Sequence, residues 1–195
     1  MNNTCGIFLA GVGGQGVILA SRLLAAAALE SGCDVKVSEV HGMAQRGGSV
    51  VAQVRFGDKV YSPLIPRGGA DILLALEKLE ALRFLPYTKS GGTVIINDWE
   101  IMPVPVLTGS ASYPAGIVEA VKAAVPRTRL VKAQKVAEEM GNARGANVVL
   151  MGFLAGELPF SEEVWERAMK RVLPDKLLEA GRKAFWAGRS LYGKV

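Results

Sequence analysis

The sequence predicts a three-layer Rossmann-like α/β domain with a mostly parallel sheet, an inserted β-hairpin and C-terminal helices. Three observations lead there. A short apolar run at 4–10 (TCGIFLA) meets a glycine-rich turn and then an alanine- and leucine-rich stretch of helical length, the opening of a βαβ unit. Two further short apolar runs, DILLA at 71–75 and TVIIN at 93–97, have the length of strands buried on both faces. After a last strand-like run at 128–132, helix signals take over. Half of the 195 residues are apolar, enough for a sizeable core.

The elements follow in order. Residues 4–10 are the first strand, 11–16 (GVGGQG) the turn, and 17–31 a helix with little β-branching after Ile18. Gly32 suits its C-cap because glycine tolerates positive φ. Residues 34–39 (DVKVSE) give a second strand, so the unit is expected to be parallel and right-handed. Residues 49–56 (SVVAQVRF) read as a strand, Gly57-Asp58 as a turn and 59–62 as a return strand. DILLA follows, then a helix over 77–85 that stops before Pro86. TVIIN is entered through Gly91-Gly92, and Pro103 and Pro105 mark an exposed extended segment. A helix lies within 113–125, with Pro114 near its first turn. Residues 136–140 and 147–155 are further helices. Ser161 is an N-cap candidate for the next, and Pro174 opens the last, roughly 175–187. There Leu177, Leu178, Gly181, Ala184 and Phe185 share a face. The stretch 1–195 is expected to be a single domain whose helical C-terminal part starts near 157.

Composition narrows the function classes. The net charge is +5, but the basic residues are scattered and only Lys170-Arg171 and Arg182-Lys183 are adjacent pairs. With no zinc-finger spacing and no interleaving of aromatic and basic residues, a nucleic-acid partner is not expected. Cys5 and Cys33 are the chain's two cysteines and form no CxxC pair. An iron–sulfur cluster normally takes four ligands, so none is expected here, and a reducing cytoplasm is the simpler setting. No basic leader precedes the first apolar run, and the apolar stretch 17–29 is too short to span a bilayer and contains Arg22. A single histidine makes no metal site, and Ser21 and Ser49 lack the context of a nucleophile elbow.

The chemistry concentrates in two loops. Gly11, Gly13 and Gly16 have GxGxxG spacing between a strand and a helix, where backbone N–H groups and the helix N-terminus favour an anion. Gly14 and Gln15 add flexibility and a polar side chain. In an NAD-binding reading, Glu39 would accept from the ribose hydroxyls. The same glycines also fit close helix–strand packing and nothing more. The second loop sets His41 beside Gln45 and Arg46, at the sheet edge where open α/β folds bind ligands. Arg67 is either a contact for an anion or a neighbouring subunit or simply solvated, and Asp71 holds its own loop. Asn97-Asp98 sits at a strand end that could line the ligand crevice. Asn142 and Asn147 read as helix caps, and Trp99, Trp165 and Trp186 as core or interface anchors.

GVGGQG at 11–16, EVHGMAQRGGSV at 39–50, PRGGADILLALEKLEALR at 66–83 and NARGANVVLMGFLAG at 142–156 together resemble the gamma-type module of 2-oxoacid:ferredoxin oxidoreductases, most of all its indolepyruvate branch. The resemblance implies a small subunit in a complex that oxidatively decarboxylates aryl pyruvates to acyl-coenzyme A and reduces ferredoxin. It places thiamine diphosphate, Mg2+ and [4Fe-4S] clusters in a large alpha subunit, with coenzyme A at a shared site. Carried over position by position, it implies cofactor contacts at Gly11, Gly13, Gly14, Gln15, Gly16, Gln45 and Arg46, and an orienting role for His41. A non-catalytic assembly module of that complex and a stand-alone NAD-binding oxidoreductase are the alternative readings.

Overall fold

The computed structural model describes residues 4–42 and 47–194, with His41 described by its backbone alone. The apolar runs become strands β1 (Thr4–Val12), β2 (Asp34–His41), β3 (Ser49–Gly57), β4 (Ala70–Ala75), β5 (Thr88–Asn97) and β6 (Thr128–Val131). They form a six-stranded sheet in the order β2-β3-β1-β4-β5-β6. β1, β4, β5 and β6 pair in parallel, while β3 is antiparallel to both β1 and β2. Five strands therefore share one direction and β3 alone opposes them.

Two sequence expectations are corrected by this topology. β1 and β2 are not neighbours, because β3 lies between them in register Ile7↔Val54 on one side and Val37↔Val54 on the other. The inserted hairpin is β2–β3. The return strand expected at 59–62 does not form among the described residues. That segment and the residues just after it find side-chain partners instead: Val60 N–H donates to Asp34 Oδ2 at 2.8 Å, Arg55 donates to the Ser62 carbonyl at 3.1 Å, and beyond them Ile65 N–H donates to Gln53 Oε1 at 2.6 Å. Pro63 and Pro66 bring no N–H to a ladder.

Strand alternation feeds two cores. Ile7 and Leu9 of β1 face one layer, and Phe8 and Ala10 face the other. The first layer holds α1 (Val17–Glu30), α5 (Ala133–Glu139), α6 (Ala146–Ala155), α7 (Glu162–Val172) and α8 (Asp175–Arg189). The second holds α2 (Lys78–Phe84) and α4 (Ile117–Ala124). All ten residues of α6 are buried, and each large apolar side chain removed from water there is worth about 1.5–3 kcal/mol.

Local chemistry shifts several boundaries. The extended segment expected around Pro103 and Pro105 contains a short helix, α3 (Val104–Leu107), with proline in its first turn, where a missing N–H costs nothing. α4 starts at Ile117 rather than near Tyr113, because Gly116 takes φ 70° at the N-cap and leaves Pro114 outside. In α8, Gly181, Ala184 and Phe185 are buried as expected, but Leu177 is 50% exposed and Gly188 completes the buried stripe. Ser161 stands at the N-cap of α7, without a side-chain bond to the backbone among the described residues. No described helix is long and apolar enough to cross a membrane.

Candidate functional site

The parallel strands β1, β4 and β5 end at one edge of the sheet, and α1 begins there. β1 runs through Val12, two residues further than its apolar run suggests. Gly13, Gly14 and Gly16 then line a cavity of about 390 Å³ together with Val12, Val17, Ile18 and Val50. Gly16 is the N-cap of α1 at φ 81°, and α1 has no side-chain cap among the described residues. N–H groups in the first turn of a helix have no partner within it, and the helix dipole makes that end positive. A cavity bordered by Gly16, Val17 and Ile18 therefore suits an anionic group.

Hydrogen bonds hold this loop from four sides. Gln15 Oε1 accepts from Val12 N–H at 2.7 Å, and Gln15 Nε2 donates to the Leu76 carbonyl at 2.8 Å. Gly13 N–H donates to the Gly48 carbonyl at 2.8 Å. Asn147 Nδ2 donates to the Gly16 carbonyl at 3.2 Å from 131 residues away. Both ends of the Gln15 amide are thus committed inside the chain, which makes this side chain a brace. Gly11 is a packing residue: it is buried in β1, and a Cβ there would stand 2.8 Å from Val17 Cγ2 and 3.1 Å from Leu76 Cβ.

The second loop is partly described. His41 ends β2 and pairs with Val50, which puts its backbone against the strand that walls the cavity. Gln45 and Arg46 lie outside the described residues. Glu39 is exposed at the end of β2, and its Oε1 lies 2.8 Å from the hydroxyl of fully buried Ser21, a contact between β2 and α1.

On the other side of Gly14, Gln15, Asn97, Trp99, Gln134, Arg144 and Asn147 border a smaller cavity of about 140 Å³. Asn97 does reach this edge, but as a brace, donating to the Leu76 carbonyl at 3.2 Å and accepting from Gln134 N–H at 3.2 Å. Asn147 meets the capping expectation and adds to it. Its Oδ1 accepts from Val148 N–H at 3.0 Å in the first turn of α6, whose N-cap is Gly145, and its Nδ2 spans to the glycine loop. Sequence reasoning missed this bridge and Arg144, a cation beside Gly14. It also missed Glu77, which is 1% exposed. Glu77 caps α2 through Glu80 N–H at 3.0 Å and accepts from Ile101 N–H at 3.3 Å and from the Tyr113 hydroxyl. Burial first, and then the Glu77 carboxylate, push the Tyr113 phenol well above its ordinary range. An acidic residue just before a helical run was the available signal for Glu77.

The remaining candidates lie elsewhere. Asp71, at the amino end of β4, accepts from Gly6 N–H at 2.7 Å and pairs with Lys89. Arg67 is exposed on the loop before it. Cys5 and Cys33 border a separate cavity of about 500 Å³ at that amino edge, and burial pushes the Cys5 thiol up to about 12. The described residues hold no cluster of three or more His, Cys, Asp or Glu that could bind a metal. Trp165 is a core anchor packed in tilted contacts between Phe160 and Phe185, Trp186 donates to Glu166 at 2.7 Å, and Trp99 is 38% exposed beside the smaller cavity.

Comparison with known proteins agrees with this layout. Residues 6–191 match the family model described as pyruvate ferredoxin/flavodoxin oxidoreductase. The chain is 44% identical to the indolepyruvate oxidoreductase subunit IorB of Pyrococcus horikoshii, over 93% of each chain. It is 41% identical to IorB of Archaeoglobus fulgidus, over 93% of this chain and 92% of that one. Among solved structures, the gamma subunit of a keto/oxoacid ferredoxin oxidoreductase from Geobacter sulfurreducens superposes with a TM-score of 0.70 at 25% identity, covering 95% of this chain and 96% of that one. A 2-oxoglutarate:ferredoxin oxidoreductase from Magnetococcus marinus, solved with 2-oxoglutarate, coenzyme A and succinyl-CoA, shares the fold with a TM-score of 0.77 at 20% identity; all of this chain matches 32% of that polypeptide.

Proposed function

Because the chain belongs to the pyruvate ferredoxin/flavodoxin oxidoreductase family and to an enzymatic assembly, we propose that it is the small, non-catalytic subunit of an indolepyruvate-type 2-oxoacid:ferredoxin oxidoreductase. The observation that carries this reading is the near end-to-end likeness to the archaeal indolepyruvate subunits. In this reading a large alpha subunit holds thiamine diphosphate, Mg2+ and the [4Fe-4S] clusters. Those groups supply decarboxylation of the 2-oxo acid and electron transfer to ferredoxin. The two cysteines of this chain are too few for such a cluster, and its described residues hold no group of three or more His, Cys, Asp or Glu for a metal ion.

A more specific role is favoured by the cavity at the glycine loop. There the chain shapes the boundary of the active site and receives a phosphate of coenzyme A at the N-terminus of α1. Gly13, Gly14 and Gly16 let the backbone approach, Gln15 braces the loop, Gln45 and Arg46 add polar contacts, and His41 orients the substrate at the subunit boundary. The stand-alone NAD reading has less support, since the relatives that match nearly end to end are oxidoreductase subunits.

The test is steady-state oxidation of an aryl pyruvate by the assembled heteromer. The large subunit alone should lose activity, and adding this chain should restore it. In the heteromer, Gly16→Ala should raise the KM for coenzyme A about five-fold or more, with the KM for the 2-oxo acid unchanged. Full activity of the large subunit alone contradicts the subunit assignment. An unchanged KM for coenzyme A contradicts the site and leaves the chain as a brace.

A further inference from the structure

Three consecutive residues leading into β3, Gly48 to Val50, make three different contacts around the cavity. The Gly48 carbonyl accepts from Gly13 N–H at 2.8 Å and so fixes the glycine loop. Val50 lines the cavity. Between them, Ser49 pairs with Val12 of β1 and turns its side chain to the opposite face, where its hydroxyl donates to Glu80 Oε2.

Glu80 is an unusual partner. It is 3% exposed and stands three residues after the N-cap of α2, where an acidic side chain normally folds back to the cap N–H. Here the cap is Glu77, whose own carboxylate receives Glu80 N–H at 3.0 Å. The Glu80 carboxylate points away from the cap instead. One oxygen takes Arg83 Nε at 2.9 Å, and the other takes the Ser49 hydroxyl. A buried carboxylate paired with a charged partner is costly to displace, so Glu80 is a fixed anchor for the exposed Ser49.

We propose that Glu80 is a positioning residue for the glycine-loop cavity, acting through Ser49. It anchors the strand start that supplies one cavity wall and the carbonyl that fixes Gly13. The proposal rests on the reading of that cavity as the coenzyme A phosphate site.

The test compares variants in the assembled heteromer. Ser49→Ala should raise the KM for coenzyme A about five-fold, the scale of one hydrogen bond, with kcat and the KM for the 2-oxo acid within about twofold. Ser49→Thr keeps a hydroxyl on a residue suited to a strand and should restore the KM. Glu80→Gln keeps an acceptor oxygen but loses the charge opposite Arg83, and should fall between the two. Gly16→Ala separates the proposal from the reading beneath it. If Gly16→Ala raises the KM for coenzyme A and Ser49→Ala does not, Glu80 has no positioning role while the site stands. If neither variant moves that KM, the coenzyme A reading fails and the proposal fails with it. If Ser49→Ala lowers kcat and leaves KM alone, the contact is merely structural and the proposal is overturned.

Discussion

At the seam between α6 and α8, Gly152 and Gly188 let two helices touch backbone to backbone. A Cβ on Gly152 would lie 1.8 Å from the Phe185 carbonyl oxygen, and one on Gly188 would lie 1.8 Å from that of Val149. At the glycine loop, Gly14 and Gly16 have φ of 102° and 81°, and a Cβ on Gly14 would meet no described atom within 4 Å. The seam closes by steric fit between rigid backbones. The loop is held open by hydrogen bonds from Gln15, Gly48 and Asn147 around a space. The difference separates two kinds of failure. Damage at the seam should appear as lost stability, and damage at the loop chiefly as lost ligand affinity.

Gly188→Ala should give the largest effect. No side chain stands between the new methyl and the Val149 backbone, so the helices must part, at a cost of about 3 kcal/mol. Denaturant unfolding of the full chain reads this directly. A loss of under about 1 kcal/mol would show that the seam yields and would weaken the contrast. Next comes Gly16→Ala, which belongs to both regions. Its positive φ costs about 1–2 kcal/mol, and its methyl would lie 2.2 Å from Asn147 Nδ2, the amide that links α6 to the loop. A smaller change, about 1 kcal/mol, is expected for Gln15→Leu, which removes both loop bonds of the amide. Hydrogen exchange should then quicken at Gly13, Gly14 and Gly16 and stay slow in α6; uniform quickening would mean that loop and seam do not fail separately.

The gentlest probe lies at the opposite edge of the sheet. Burial, followed by the Asp71 charge, raises the Cys5 thiol from an ordinary 9.0 to about 12. Between those values the unfolded chain has released the proton and the folded chain retains it. Stability therefore falls as pH rises through that window. Cys5→Ala should flatten this decline and leave coenzyme A affinity untouched, because Cys5 borders a different cavity. A changed affinity would show that the two edges are coupled.

Sequence legibility followed the same division. Elements set by local pattern were readable: the strand before GVGGQG, DILLA, TVIIN and the Ala/Leu helix stand where expected. Pairing was not. That β3 inserts between β1 and β2 depends on contacts across the sheet, and the 59–62 segment carries the β-branched and aromatic residues of a strand while Asp34 and Arg55 supply its partners. At the site, the glycine spacing located the loop, but the sequence could not separate Gly11, which packs, from Gly14, which opens outward. The reach of Asn147 to the glycine loop and the role of Glu80 were invisible for the same reason. Their partners, Gly16 and Ser49, lie 131 and 31 residues away, and no local pattern encodes such a contact.

Isolating the assembly through a tag on this chain, then assaying the bound partner for mass, thiamine and iron, tests the central claim most directly. The account predicts a large partner that contains thiamine diphosphate and iron, in a complex that reduces ferredoxin with an aryl pyruvate only when coenzyme A is present. A homo-oligomer free of thiamine and iron that binds NAD would contradict it.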